Sequence, residues 1–356
     1  MKPIGGLSPN LPGFLLALFI GCLGGYVFSR LSIPLAWMLG SMSACTLAAI
    51  LRLPIAPLEK VRPFMTAVIG VLLGSSFSTG IFSQLGEMLV SIGLMLVYIV
   101  ISTLIGTAYF LRVARFDRVT AFFAAMPGGL VEMMTIGSER GGDGNLIALV
   151  HSARILFVVA SLPYLTVLLS GGEMVALAPR AGQSFLEAVE PTAVAWIVAC
   201  GIAGSFVGRW LRLPARYLLG PMLLSAVVHV SGVSNFHIPY QLVVVAQIIL
   251  GTLIGCRFFG TPPKKILAVL LSSAGLVAVL LAILVAVVKA GDWLAIGDVE
   301  KLLLAYAPGG MTEMSLVALS VHVDVAFVSV HHIARIAFVV MLASTLSRWL
   351  SIGTKD

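Results

Sequence analysis

A Pro-Gly-Gly-x-x-Glu-Met motif occurs twice in this chain, from Pro127-Gly128-Gly129 through Glu132-Met133 and from Pro308-Gly309-Gly310 through Glu313-Met314. The copies lie 181 residues apart (308 against 127), and the same shift carries Asp143 onto Asp324, His151 onto His332 and Arg154 onto Arg335 without a gap. Phe157-Val158-Val159 falls likewise on Phe338-Val339-Val340. Earlier parts agree within one residue: Gly70-x-x-x-Gly74-x-x-Phe77 matches Gly251-x-x-x-Gly255-x-x-Phe258, and Pro34 with Leu39-Gly40-x-Met42 matches Pro214 with Leu219-Gly220-x-Met222. A chain so duplicated is read as two copies of one unit, each needing the other to cover its buried face. The units run over 13–170 and 191–350, with 171–190 as linker.

What surrounds the units follows from their polarity. Hydrophobic residues make up 59% and charged residues 10%, against about 25% charged in soluble domains. Each unit reads as six apolar segments, near 13–29, 34–51, 63–79, 86–111, 119–138 and 145–169 in the first and 192–208, 214–232, 240–256, 266–289, 301–321 and 325–347 in the second. Most approach the roughly 20 residues that span a bilayer. The second is short, and the fifth is broken by Pro-Gly-Gly. The apolar run beginning near Phe14 has a counterpart in the second unit, so it reads as retained structure and not as a cleaved signal. The net charge of +7 lies in short loops with no dense patch of basic and aromatic residues, so direct nucleic-acid binding is not expected. Cys22, Cys45, Cys200 and Cys256 are scattered singly and read as reduced packing residues.

Loop charge gives the units opposite handedness. In the first, Arg52, Lys60 and Arg62 follow segment two, and Arg112, Arg115 and Arg118 follow segment four. In the second, Arg209, Arg212 and Arg216 follow segment one, and Arg257, Lys264 and Lys265 follow segment three. Because basic residues collect on the cytoplasmic side, the repeats are expected to be inverted. Inversion needs an odd number of crossings per unit. The Pro-Gly-Gly segment is the one expected to enter and leave on the same face, since broken backbone at membrane depth must be buried in protein or line a watery cavity. The expected fold is therefore an all-α polytopic membrane protein of two inverted-topology repeats, with about ten transmembrane helices and two re-entrant or broken Pro-Gly-Gly helices. Both termini are expected in the cytoplasm. Only Arg30, Arg180, Lys289 and Lys301 then lie outside, with Arg154 and Arg335 inside the spans.

Ionisable residues at membrane depth are functional candidates because they are costly to keep there. Glu132 and Glu313 sit one turn past the glycines, either as partners neutralising the arginines or as carboxylates that exchange a proton. Arg154 and Arg335 either capture an anionic group with their planar fork or bond the Glu or the broken backbone. His151 and His332 lie three residues before the arginines, on the same helix face, as packing residues or as ligand contacts. His331 has Val150 as its equivalent and ranks below His332. Thr135 and Thr312 are not equivalent and read as bonds to nearby carbonyls. Pro127, Gly128, Gly129, Pro308, Gly309 and Gly310 free backbone amides at a half-helix start, which favours an anion. Asp143 and Asp324 read as helix N-caps. Gly70, Gly74, Gly251 and Gly255 read as close-packing positions. No nucleotide motif and no metal-ligand cluster is present, and no cofactor is expected.

The Ala124-x-x-Pro127-Gly128-Gly129 and Ala305-x-x-Pro308-Gly309-Gly310 motifs, the Glu, His and Arg that follow, and the early Pro34 and Pro214 motifs resemble the AbrB-duplication family of bacterial membrane proteins over nearly the whole chain. That resemblance implies a bacterial inner-membrane location. Family labels, regulator of gene expression and in some cases ammonia monooxygenase, imply different activities. From the residues, the first expectation is a secondary transporter of a small anionic solute with its site at the repeat interface. The second is a membrane-embedded sensor acting through a partner. An ammonia-oxidising enzyme would need a redox metal site that the spacing does not supply, so no enzymatic activity is expected. Lipid and a small-molecule or ion ligand are the expected partners, with room for a homo-oligomer.

Overall fold

A computed structural model describes residues 11–77, 85–170, 190–213, 215–321 and 323–349. Residues 171–189 of the linker, Arg180 among them, and Pro214 lie outside the described residues. Among those described, all regular structure is helical. Seven helices stand on each side of the linker: α1 (Leu11–Arg30), α2 (Ala36–Ile50), α3 (Arg62–Gly74), α4 (Leu85–Tyr109), α5 (Arg118–Ala125), α6 (Leu130–Glu139) and α7 (Gly144–Ser170). Then follow α8 (Pro191–Trp210), α9 (Arg216–Val230), α10 (Tyr240–Gly255), α11 (Pro263–Trp293), α12 (Val299–Tyr306), α13 (Met311–Ser320) and α14 (Val325–Trp349).

Seven of these helices are long and apolar enough to cross a membrane: α1, α4 with its continuation to Ala114, α7, α8, α10 extended to Phe258, α11 and α14. The outward stripes on α1 (Leu15, Phe19, Leu23) and α8 (Val198, Ile202, Phe206) are large, apolar and exposed. Their spacing of four keeps each on one helix face, the pattern of a surface that meets lipid. Trp210 and Trp293, both exposed, close α8 and α11, where amphipathic rings sit well at a membrane boundary.

Three apolar helices fall short of a full span. α2 and α9 have 15 residues each, or about 22 Å at 1.5 Å per residue. α3 was expected to run to 79 but ends at Gly74, where Ser75 Oγ turns back to donate to the Leu72 carbonyl at 2.8 Å. The turns into α2 and α9 match in detail. Ser32 and Arg212, then Leu35 and Ala215, adopt positive φ near 50°, sparsely populated for such side chains.

The short helices cross-pack between the sequence units. Gly70 and Gly74 on α3 lie against α9: a Cβ on Gly70 would meet the Leu218 carbonyl, and one on Gly74 would lie 2.6 Å from Ser225 Cβ. Ser225 Oγ donates to the Val71 carbonyl at 2.8 Å in the same contact. The mirror arrangement places α10 on α2, with a Cβ on Gly251 2.5 Å from the Met38 carbonyl and one on Gly255 2.6 Å from Cys45 Cβ. Only glycine lets backbones approach this closely, so the close-packing reading holds at all four positions.

Both fifth segments are broken into half-helices. In the first unit the chain doubles back. Asp143 N, past the end of α6, donates to Thr120 Oγ1 on α5 at 2.8 Å, and a Cβ on Gly137 would sit 3.2 Å from Phe123 Cβ. Asp117 caps α5 by accepting from Thr120 N at 2.9 Å. Asp143 accepts from Leu146 N at 3.0 Å, and Asp324 accepts from Ala326 N at 2.9 Å and Phe327 N at 3.1 Å. The N-cap reading of both aspartates is met.

Candidate functional site

Proline decides the local geometry. In a continuing helix, residue 127 would donate its N–H to the Phe123 carbonyl four residues back, and residue 308 would donate to Leu304. Proline has no N–H, so both carbonyls are orphaned inside the protein. The histidines replace the missing donors. His151 Nε2 donates to Phe123 O at 3.0 Å and His332 Nε2 to Leu304 O at 3.1 Å, each across 28 residues of sequence. A carbonyl only accepts, so both rings carry their proton on Nε2. His151 Nδ1 then accepts from Arg154 Nη2 at 2.9 Å, which makes that ring neutral.

The arginines hold the next carbonyls along. Arg154 Nη1 donates to Met126 O at 3.0 Å, and Nη2 reaches Gly128 O at 3.5 Å. Arg335 Nη1 donates to Ala307 O, and Nη2 to Gly309 O at 2.7 Å. Each fork spans a break between half-helices, which a flexible ammonium cannot do in the same way. Arg154 and Arg335 are each 2% exposed. Among the described residues neither makes an ion pair with Glu132 or Glu313. The expectation that Glu neutralises Arg through a salt bridge is therefore corrected: carbonyl oxygens solvate both guanidinium groups without cancelling their charge.

The glutamates turn the other way. Glu132 and Glu313 are the third residues of α6 and α13, whose N-caps, Gly129 and Gly310, have no side chain. Each carboxylate folds back over its own glycine, so that a Cβ there would lie 2.9 Å from Glu132 Cδ and 2.8 Å from Glu313 Cδ. A glutamate in the first turn, doubled back on the N-cap, faces unpaired amides and the positive end of the helix dipole.

The two breaks meet at a single cavity of about 50 Å³. Gly128, Gly129, His151 and Arg154 line it from one unit and Gly309, Gly310 and Arg335 from the other. Leu130 and Ile155 face Met311 and Ile336 across it. Of the residues expected from sequence, Pro127, Pro308, His332, Glu132 and Glu313 stand outside this lining. The four apolar lining residues were not singled out beforehand. Their only sequence signal is that each pair is repeat-equivalent and adjacent to a motif residue.

His331 has a role of its own. Its Nδ1 donates to Phe327 O at 2.8 Å and its Nε2 accepts from Ser91 Oγ at 2.9 Å, while Tyr306 OH donates to Ser91 O at 2.7 Å. This buried network ties α4 to α12 and α14. It has no counterpart in the first unit, where Ala125 and Val150 occupy the places of Tyr306 and His331, and a single serine in an apolar run gave no sign of it.

A family model described as "Transition state regulatory protein AbrB" matches residues 37–351. The chain is 29% identical to "Uncharacterized protein YhjN" of Bacillus subtilis (strain 168), covering 93% of this chain and 91% of that protein. It is 22% identical to "Putative regulator AbrB" of Escherichia coli (strain K12), covering 91% and 92%.

Proposed function

This chain belongs to the AbrB family, and from that premise and the geometry of the cavity we propose that it is a secondary transporter of a small anionic solute, bound between the two Pro-Gly-Gly breaks. One observation carries the reading: two repeat-equivalent buried arginines, bonded to carbonyls and unpaired with carboxylates, line the same cavity. Two buried guanidinium groups with no carboxylate in direct contact attract an anion in a low-dielectric setting. The half-helix starts beside them hold the Glu132 and Glu313 carboxylates, and protonation of a glutamate would turn its amide dipoles toward the same anion.

The reading takes the repeats as inverted, with about ten crossings and two re-entrant hairpins, in a bacterial inner membrane with both termini cytoplasmic. The loop charges support inversion, and the return of α6 onto α5 supports a re-entrant hairpin. The solute crosses unchanged, with no catalytic step and no nucleic acid bound. A cavity of about 50 Å³ is about a third of the roughly 150 Å³ that admits benzene, so the fit is to a solute of a few heavy atoms. The apolar walls suit a short carboxylate, with its oxygens toward the arginines. Exchange of a proton on Glu132 or Glu313 couples the cycle.

The test is counterflow in proteoliposomes, using labelled formate, acetate and chloride in turn. Wild type is expected to accumulate at least one of them against an unlabelled load, and an Arg154→Gln, Arg335→Gln protein to accumulate none. The name carried by the Escherichia coli relative favours a second reading, a ligand sensor. Saturable binding with no counterflow for any of the three anions would replace transport by sensing.

A further inference from the structure

The two half-helices that leave the cavity differ in cover. On α13, Met311, Glu313, Met314, Leu316 and Val317 are all buried. On α6, Thr135, Ser138 and Glu139 are exposed, as is Val131 one turn before Thr135, and Glu132 is half-buried. Glu132, Thr135 and Glu139 fall at spacings of three and four, on one face of the helix. Their repeat equivalents are Glu313, Leu316 and Ser320, and Leu316 is 2% exposed. The difference is thus written in the side chains as well as in the packing.

A polar stripe at membrane depth does not face hydrocarbon, because an unpaired polar or charged group there costs several kcal/mol; it faces water or protein, and among the described residues Thr135 and Glu139 stay exposed. The ten residues of α6 extend about 15 Å from the cavity to the base of the hairpin. That base carries five cations, Arg115, Arg118, Arg140, Lys264 and Lys265, against three carboxylates, Asp117, Glu139 and Asp143, the last paired with Lys265 at 3.6 Å, and so is positive by two. A positively charged mouth raises the local concentration of anions and their rate of arrival.

We infer that the Glu132-Thr135-Glu139 face of α6 lines a water-filled route by which an anion reaches the cavity from the side of the basic loops, and that the structure is open to that side and closed along α13. The inference rests on the transport reading for its direction, but its test is separate. Full-length protein with Cys22, Cys45, Cys200 and Cys256 replaced by alanine receives one new cysteine, Thr135→Cys or Ser138→Cys on α6, Leu316→Cys or Leu319→Cys on α13. A membrane-impermeant maleimide is then applied to sealed vesicles of each orientation. The α6 thiols are expected to react at least about tenfold faster than the α13 thiols, and from the same face as an Arg115→Cys marker. Equal rates at the two helices, or reaction of Thr135→Cys only from the opposite face, would overturn the route. If anion uptake proceeds at an unchanged rate after Thr135→Cys has been modified, the route falls and transport stands. If Thr135→Cys reacts as expected in protein that accumulates no anion, transport falls and the water path to the cavity stands.

Discussion

His151 donates from Nε2 to the Phe123 carbonyl at 3.0 Å, and that carbonyl is the one Pro127 leaves without its helical donor. The same relation joins His332, Leu304 and Pro308. Proline and histidine, 24 residues apart in both copies (127 to 151, 308 to 332), are therefore two halves of one device: the first breaks the helix, and the second satisfies what the break exposes.

Removing the second half should be costly. His151→Ala leaves a buried carbonyl unpaired and is expected to destabilise the protein by about 1–3 kcal/mol, read as a lowered thermal midpoint in detergent. Pro127→Ala supplies the missing N–H, so the double variant should lose less than the sum of the single losses. An additive cycle would mean that the histidine and the proline are not coupled.

The arginines should tolerate lysine poorly. Arg154→Lys and Arg335→Lys keep a charge but lose the fork that reaches two carbonyls. A loss of about 1–3 kcal/mol each is expected from the oxygens left unpaired. Arg335→Lys should cost more, because its second bond, to Gly309 O at 2.7 Å, is shorter than that of Arg154 to Gly128 O at 3.5 Å. Paired unfolding curves of the two variants measure this order.

Gly129→Ala and Gly310→Ala place a methyl where the Glu132 and Glu313 carboxylates lie. The φ values of −66° and −71° suit alanine, so no backbone strain arises. The carboxylate must move instead and the helix start loses its cap, at about 1 kcal/mol. Adding Glu132→Ala to Gly129→Ala should then cost almost nothing further, by the same midpoint measurement.

At the cross-packed helices, Gly255→Ala is expected to destabilise by about 1–3 kcal/mol through overpacking. Its Cβ would lie 2.6 Å from both Cys45 Cβ and the Met42 carbonyl. Shaving the neighbour with Cys45→Gly should not restore stability, because the Met42 carbonyl is backbone and stays. Full rescue would show that the side chain alone sets the contact.

Much of this site was legible in the chain. The duplication located both breaks, the motif residues and the N-capping aspartates, because proline, glycine and capping side chains act on backbone within a few residues of themselves. The GxxxG pairs announced close packing, but not that α3 would meet α9 and α10 would meet α2. The glutamate was expected to face the arginine and instead folds over its own helix start, because amides one turn away are nearer than a guanidinium already engaged with two carbonyls. The Ser91-Tyr306-His331 tie was invisible, since Ser91 lies 215 residues from Tyr306 and 240 from His331 in sequence.

The sequence by itself determined where the helices break, which residue types stand at each break, and that every such set occurs twice, all consequences of interactions within about one helical turn or of direct repetition. The tertiary structure decided the rest: that both breaks meet at one cavity, that the arginines bond carbonyls and not carboxylates, and that α13 is covered while α6 is open. Those outcomes depend on which helices pack together, across 26 to 28 residues for the arginine–carbonyl bonds and across the two units for the cavity, and a local pattern of apolar and polar side chains fixes a helix's faces without fixing which neighbour covers them.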